Sequence, residues 1–343
     1  MQQNRMEGNR IELVEMEGAP QLHGLIFRHW RGEDDFASMA SVANSSWEAD
    51  LVDLHLAAKD LKRDFERPVN FDPSKDVVIA EIDGRIIGYC RITWRRKLND
   101  LIAYWPFAVL LPEYRGRGIR SSFLQYSEAR ARELSKAHPM HVRKLLETWA
   151  ASAPNSWKSL LERKGFAPSW YVLEMVRDGL DSLSEFALPY GIEVRPVRPQ
   201  DVRKIWDAAK EALRDENSFF EENWDDLAFE KLSSDPLFTP ELWQIAWDGD
   251  EVVGGVHNII DRAENEGLGR KWGHTEQIFV RRQWRNRGIA RALITRSLKV
   301  IRDNGMDAAT LDVDAENPSR ALQLYESLGY RMCRQFTFYR KGL

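Results

Sequence analysis

Apolar and polar residues alternate along two stretches of the chain, and each stretch is interrupted by an Asp-Gly pair. Ile79-Ala80-Glu81-Ile82-Asp83-Gly84-Arg85-Ile86-Ile87-Gly88 is one, and Ile245-Ala246-Trp247-Asp248-Gly249-Asp250-Glu251-Val252-Val253-Gly254 is the other. Each predicts a β-hairpin turning at Asp-Gly. Ahead of each comes a short strand, an acidic N-cap and an amphipathic helix, at Phe27–Asp35 and again at Val194–Asp201. Behind each comes an arginine-glycine turn: Arg115-Gly116-Arg117-Gly118-Ile119-Arg120 and Arg285-Asn286-Arg287-Gly288-Ile289-Ala290. A helix closing on glycine completes each set, at Leu160–Phe166 and Leu324–Tyr330.

Four matched blocks in one order predict a duplicated domain, since the period is too long for a solenoid. Each half should form an α/β domain: a mixed, mostly antiparallel twisted sheet flanked by helices. The expected division is a disordered leader at 1–22, an N-terminal domain at 23–180, a linker at 181–190 and a C-terminal domain at 191–343. In the second half Gln277–Val280 reads as a strand, Arg291–Asp303 as a helix and Thr310–Val313 as the next strand.

Composition removes several function classes. At 343 residues the chain exceeds one typical domain. Its net charge is -4 and it has no global basic signature, so no nucleic-acid partner is expected. No apolar run approaches the ~18 residues of a membrane helix, and the first twenty residues do not read as a signal peptide. A cytoplasmic protein with no membrane partner is expected. Cys90 and Cys333 are far apart and form no CxxC, which predicts free thiols in a reducing compartment and no metal site.

The arginine-glycine turn of the second half has chemistry suited to an anion. It follows a strand and opens a helix, whose first free N–H groups carry partial positive charge. Gly288 lets backbone approach a phosphate, Ala290 is nearly as small, and Arg285 and Arg287 add charge. Taken alone, such a turn is also compatible with a basic helix start that holds nothing. It is neither a Walker A loop nor a dinucleotide fingerprint.

With its neighbours, the turn fits [RQ]-x-x-G-x-[GA], and Asn317-Pro318-Ser319-Arg320-Ala321-Leu322-Gln323-Leu324-Tyr325-Glu326-Ser327-Leu328-Gly329-Tyr330 follows N-x-x-A-x-x-x-Y-x-x-x-G-[FY] from Ala321 onward, with Asn317 one residue farther from Ala321 than the pattern has it. In these blocks and their order the chain resembles the GNAT acyltransferase superfamily, in tandem and over nearly all of 24–178 and 190–343. The layout is similar to that of the mycothiol synthases. The resemblance implies acetyl-CoA as co-substrate, with its pyrophosphate on Arg285–Ala290 and its pantetheine arm along the strand ending at Phe279 and Val280 and on Asn317. It also implies that Tyr325 protonates the departing thiolate, as a phenol of comparable basicity can.

The first half lacks these parts. Counted back from the helix-ending glycine, Leu161 stands for Tyr325 and Ala153 for Asn317; in the turn, Arg120 stands for Ala290. Arg120 either blocks the phosphate site or fills it by charge. An amine acceptor has to lose a proton before it attacks. Glu276 is the first candidate base and His274 the second, on one face of the strand; Tyr104 and Pro106 stand there in the first half. Asp312 and Asp314 read as weaker candidates, with surface solvation preferred. The acidic and aromatic stretch 211–240, with Phe219, Phe220, Glu221, Glu222, Trp224, Asp225, Asp226 and Phe229, suits a cationic amine or a solvated helical lid.

The expected function is acetyl-CoA-dependent N-acetyl transfer to a primary amine of a small molecule or peptide, in the C-terminal domain of a monomer or weak homodimer. The alternatives are a non-catalytic acyl-CoA-binding module, or another acyl transfer on the same scaffold.

Overall fold

The computed structural model describes residues 13–66, 68–97, 100–152, 155–214, 219, 224–316 and 321–343. They divide into two compact units, Met1–Pro168 with Tyr339–Leu343, and Ser169–Phe338. In chain order the first unit holds β1 (Leu25–His29), α1 (Phe36–Ala49), α2 (Ala58–Glu66), α3 (Pro73–Asp76), β2 (Val77–Ile82), β3 (Arg85–Lys97), β4 (Leu101–Leu110), α4 (Ile119–Ser135), β5 (Arg143–Ala151) and α5 (Ser156–Arg163). Then follow β6 (Ala167–Asp178), β7 (Ile192–Arg195), α6 (Val202–Leu213), α7 (Asp226–Ser233), β8 (Gln244–Asp248), β9 (Glu251–Ile259), α8 (Arg262–Gly267), β10 (Trp272–Val280), α9 (Ile289–Asp303), β11 (Ala308–Asp314), α10 (Ala321–Ser327) and β12 (Arg331–Gly342).

Both predicted hairpins form. β2 pairs β3 and β8 pairs β9, each antiparallel; the first turns at Asp83-Gly84 as expected, the second one residue later, at Gly249-Asp250, because Asp248 pairs with Glu251. The first unit runs β1-β2-β3-β4-β5, antiparallel except for β4 beside β5; the second runs β6-β11-β10-β9-β8-β7, antiparallel except for β10 beside β11. Each is the mixed, mostly antiparallel sheet expected from the sequence. α9 buries Ile289, Ala292, Leu293, Ile294, Leu298 and Ile301, a helical spacing that turns one face into the core of the second unit. Gly273 on β10 leaves room for it, since a Cβ there would come within 2.7 Å of Ile301.

The units do not divide at the expected linker. Residues 172–178 of β6 pair in unbroken register with β11, so the strand expected to close the first half is a strand of the second unit. Tyr339–Leu343, at the end of β12, belongs to the first unit. The expected leader is also shorter than 22 residues: Leu13 bridges Arg28, and Met16 is buried in the first core. Apolar Val14 and Met16 lie within a polar stretch, which hid them from a reading by composition.

The last residues of the chain are fastened by charge. Glu147 on β5 is fully buried and meets Lys97 at 2.7 Å and Arg340 at 2.5 Å. Burial presses Lys97 below the usual lysine range, and Glu147 partly restores it. Truncating one member of such a group leaves an uncompensated buried charge. Glu147→Ala is therefore expected to cost about 3–5 kcal/mol and to lower the urea midpoint of the first unfolding transition; an unchanged midpoint contradicts this.

Candidate active site

β10 and β11 are parallel neighbours over only three residues, Trp272–His274 against Ala308–Thr310. Past that point β10 is out of regular register with β9 as well. Glu276 pairs with His257 and Phe279 with Gly255, so Gln277 and Ile278 lie opposite the single residue Val256. This is a β-bulge, and Gln277 takes the left-handed backbone angle φ 42° within it. Gly254 and Gly255 on β9 allow the close approach that follows: a Cβ on Gly254 would fall 2.7 Å from the Phe279 carbonyl oxygen, and one on Gly255 2.7 Å from its ring.

Between the diverging strands lies a cavity of about 360 Å³, lined by Glu276, Gln277, Asp312, Asp314 and Tyr325 and walled by Trp170, Phe219 and Trp224. Tyr325 reaches it from α10. It is buried and meets the Tyr330 ring edge-on at 6.1 Å.

The second arginine-glycine turn stands at the head of α9. Gly288 is the N-cap with φ 80°, and no side chain caps the first turn. Nothing lies within 4 Å of where its Cβ would be, so the backbone angle rather than crowding calls for glycine. Asn286, Arg287 and Gly288 are exposed, Ile289 is buried and Ala290 half-buried. Arg285 does not face an anion site. Its guanidinium donates to the carbonyls of Val280 and Ala212, both at 2.9 Å, and fastens the turn to the end of α6. Arg287 remains the exposed cation of the turn. The Phe279 side chain is in the core and that of Val280 half-buried against it, so any contact these residues make in the cleft is through backbone. Asn317 lies outside the described residues.

The two candidate bases are not equivalent. Glu276 lines the cavity. His274 does not; its Nε2 meets Glu264 at 3.1 Å and its Nδ1 the Thr310 hydroxyl at 2.8 Å, so both ring nitrogens are engaged. Burial works against the charged imidazole, but Glu264 and Glu276 outweigh it and raise its pKa. His257, opposite Glu276, stacks on Trp243 at 3.8 Å, and burial holds it down to about 3.

Asp312, expected to be solvated, also lines the cavity. Solvent reaches it within the cleft, yet the protein around it, then the like charges of Glu276 and Glu174, push its carboxyl up to about 7. Its position two residues past the end of the β10–β11 ladder was the signal, but one that requires the register to read. The acidic and aromatic stretch divides between the cavity and a solvated helix. Phe219 and Trp224 line the cavity, whereas Asp225 caps α7 and Asp226 pairs with Arg203 at 2.8 Å. Phe220, Glu221 and Glu222 lie outside the described residues. Among the described residues no cluster of His, Cys, Asp or Glu is arranged to hold a metal ion.

In the first unit the corresponding cleft is closed. β4 pairs β3 without a bulge from Leu101 to Leu110. Arg120 turns inward, where its guanidinium donates to Ser46 at 2.9 Å and lies 5.7 Å over the Trp157 ring. Burial, with the like charge of Arg115, pulls it down to about 10, so it stays a cation at neutral pH. Arg115 is held by Asp50 at 2.9 Å. About 40 Å³ is left, and Pro20 covers Gly118. Leu161 is core, and Ala153 lies outside the described residues.

Two family models match the chain: the acetyltransferase (GNAT) family over residues 206–330 and an acetyltransferase (GNAT) domain over residues 73–168. The chain is 26% identical over 261 residues to the mycothiol acetyltransferase of Geodermatophilus obscurus, covering 75% of this chain and 79% of that protein. Its fold is like that of a GCN5-related N-acetyltransferase from Sphaerobacter thermophilus, with a TM-score of 0.71, 24% identity and coverage of 93% and 95%. It is also like a tandem GNAT protein from the clavulanic acid biosynthesis pathway, with a TM-score of 0.65, 13% identity and coverage of 93% and 98%.

The His274 environment makes a testable statement. A histidine whose folded pKa is raised adds stability that is fully present below the unfolded value of about 6.5 and is lost as pH rises through the folded value. The imidazole should titrate by NMR above about 6.5, and Glu264→Gln should lower that midpoint. A midpoint unmoved by the substitution contradicts the pairing.

Proposed function

The chain belongs to the GNAT acetyltransferase family, with two such domains in tandem, and from that premise we propose that the second unit carries the reaction, moving an acetyl group from acetyl-CoA to the primary amine of a small molecule. The observation that carries this reading is the cavity in which Glu276 and Tyr325 meet beside a bulged strand and an uncapped helix N-terminus. Similarity to mycothiol acetyltransferases supports an amine as acceptor.

Each residue has a part that its surroundings allow. The first-turn N–H groups of α9 and the Arg287 side chain hold the pyrophosphate by charge and hydrogen bonds. The edge of β10 released from β11 offers backbone groups to the amides of the pantetheine arm, as an added strand would use them. Glu276 accepts the proton that makes the amine nucleophilic. Tyr325 donates its phenolic proton to the departing thiolate. Phe219, Trp224 and Trp170 form an aromatic wall for the acceptor, and the carboxylates favour its cationic form. The first unit, with its cleft filled by Arg120, serves structure rather than chemistry.

Tyr325→Phe removes the proton donor and keeps the ring. Turnover should fall by roughly 10²-fold or more, with acetyl-CoA affinity within about twofold of wild type. Thiol release and equilibrium binding measure the two separately; wild-type turnover in the variant rejects the role given to Tyr325.

A further inference from the structure

Turning an ammonium into an amide takes two protons from one nitrogen. One ends on the CoA sulfur and the other leaves the site. A single carboxylate holds one proton at a time and has to discharge before it serves again. The cavity of the second unit contains a second carboxylate beside Glu276.

That carboxylate is Asp312. It lies on β11, in the cavity shared with Glu276 and Tyr325. His274 and Glu276 face it from β10, Glu174 from β6 and Arg334 from β12; Asp314 follows it on its own strand. Most of these charges are answered. Glu174, directly opposite Asp312 in the ladder, takes two hydrogen bonds from Arg334 at 2.8 and 2.7 Å. His274 has Glu264. Glu276 and Asp312 make no ion pair among the described residues, and the like charge of Glu276 disfavours ionisation of Asp312.

The internal copy points the same way. Asp312 lies seventeen residues before Gly329, and seventeen before Gly165 is Thr148; Glu276 lies nine before Arg285, and nine before Arg115 is Pro106. In the closed first unit both carboxylates are gone together. Thr148 donates its hydroxyl proton to the Pro106 carbonyl at 2.7 Å and ties the strands together at the place where the second unit holds two acids.

We propose that Asp312 is a second proton acceptor of the transfer reaction, acting with Glu276 as a coupled pair. The proposal rests on Glu276 as base and adds the partner that completes the proton balance. With both carboxylates ionised, the pair attracts the ammonium form of the acceptor. One N–H bond breaks, an O–H bond forms on one carboxylate, and the nitrogen lone pair attacks the thioester carbonyl carbon. The C–S bond breaks, the sulfur keeps its electron pair, and it takes the phenolic proton of Tyr325. The second N–H proton passes to the other carboxylate. Of the two protons then held, one restores Tyr325 and one goes to water. Ammonium and thioester become amide, thiol and one released proton. A carboxyl near neutral pH, as Asp312 is, can both take and release a proton at the rate such a cycle needs.

The test uses the full chain, acetyl-CoA and a primary amine selected by thiol release from an amine panel. Asp312→Asn and Glu276→Gln are near-isosteric, and acetyl-CoA affinity and near-UV circular dichroism check their fold. Asp312→Asn should lower kcat/KM at pH 7 by on the order of 10²-fold. Its acid limb should move to lower pH, because the Asp312 carboxyl, which titrates at about 7, is gone. NMR of carboxyl-labelled aspartate should give Asp312 a midpoint about 7 that falls in Glu276→Gln. Wild-type kcat/KM and an unmoved acid limb in Asp312→Asn, beside a slow Glu276→Gln, overturn this proposal and leave Glu276 as the lone base. Wild-type turnover in Glu276→Gln overturns the Glu276 reading and the pair with it.

Discussion

The backbone of Gln277, turned to φ 42° inside β10, is the constraint from which the site of the second unit follows. Two residues opposite one force the strand to bend. The bend takes β10 away from β11 after a three-residue ladder, and the gap becomes a cavity whose floor carries Glu276 and Asp312. Gly254 and Gly255 make the bend possible from the neighbouring strand, since a Cβ at either would meet Phe279. The glycine pair and the bulge are therefore one device, and the α9 turn follows it in the chain.

The first unit shows what the same architecture becomes when that device is absent. Its β3–β4 register is unbroken, and a hydrogen bond from Thr148 to Pro106 joins the strands. The buried Arg120 then occupies most of what remains, held by Ser46 and the face of Trp157. A buried guanidinium is costly to leave unpaired, so Asp50 and the serine hydroxyls around it are part of the filling. The segment ending at Pro20 covers the turn from outside. Arg120 thus occupies the cleft with its own charge, held by Ser46 and Asp50.

Much of this was legible in the amino-acid sequence because it is local. Asp-Gly hairpins, glycine-capped helices and the arginine-glycine turn act within one element or across one turn. The missing parts were long-range. The pairing of residues 172–178 with β11 depends on a strand more than a hundred residues away, and the boundary of the units moved with it. Arg285 carried the signature position, but its hydrogen bonds to Val280 and Ala212 could not be read from charge alone. Asp312 is an exposed strand residue as expected, but its place in the cavity with Glu276 depends on where β10 leaves β11. His274 and Glu276 sit two apart on one strand, yet Glu264 and Thr310 engage the first and leave the second to the cavity.

The central claim is that one half of the duplication holds the acyl donor and the other has closed its site. Calorimetric titration of the full chain with CoA tests it most directly. One site per chain is predicted, and Ala290→Arg, which gives the second turn the residue of the first, should abolish it. Two sites per chain, or one site that survives Ala290→Arg, would contradict the account.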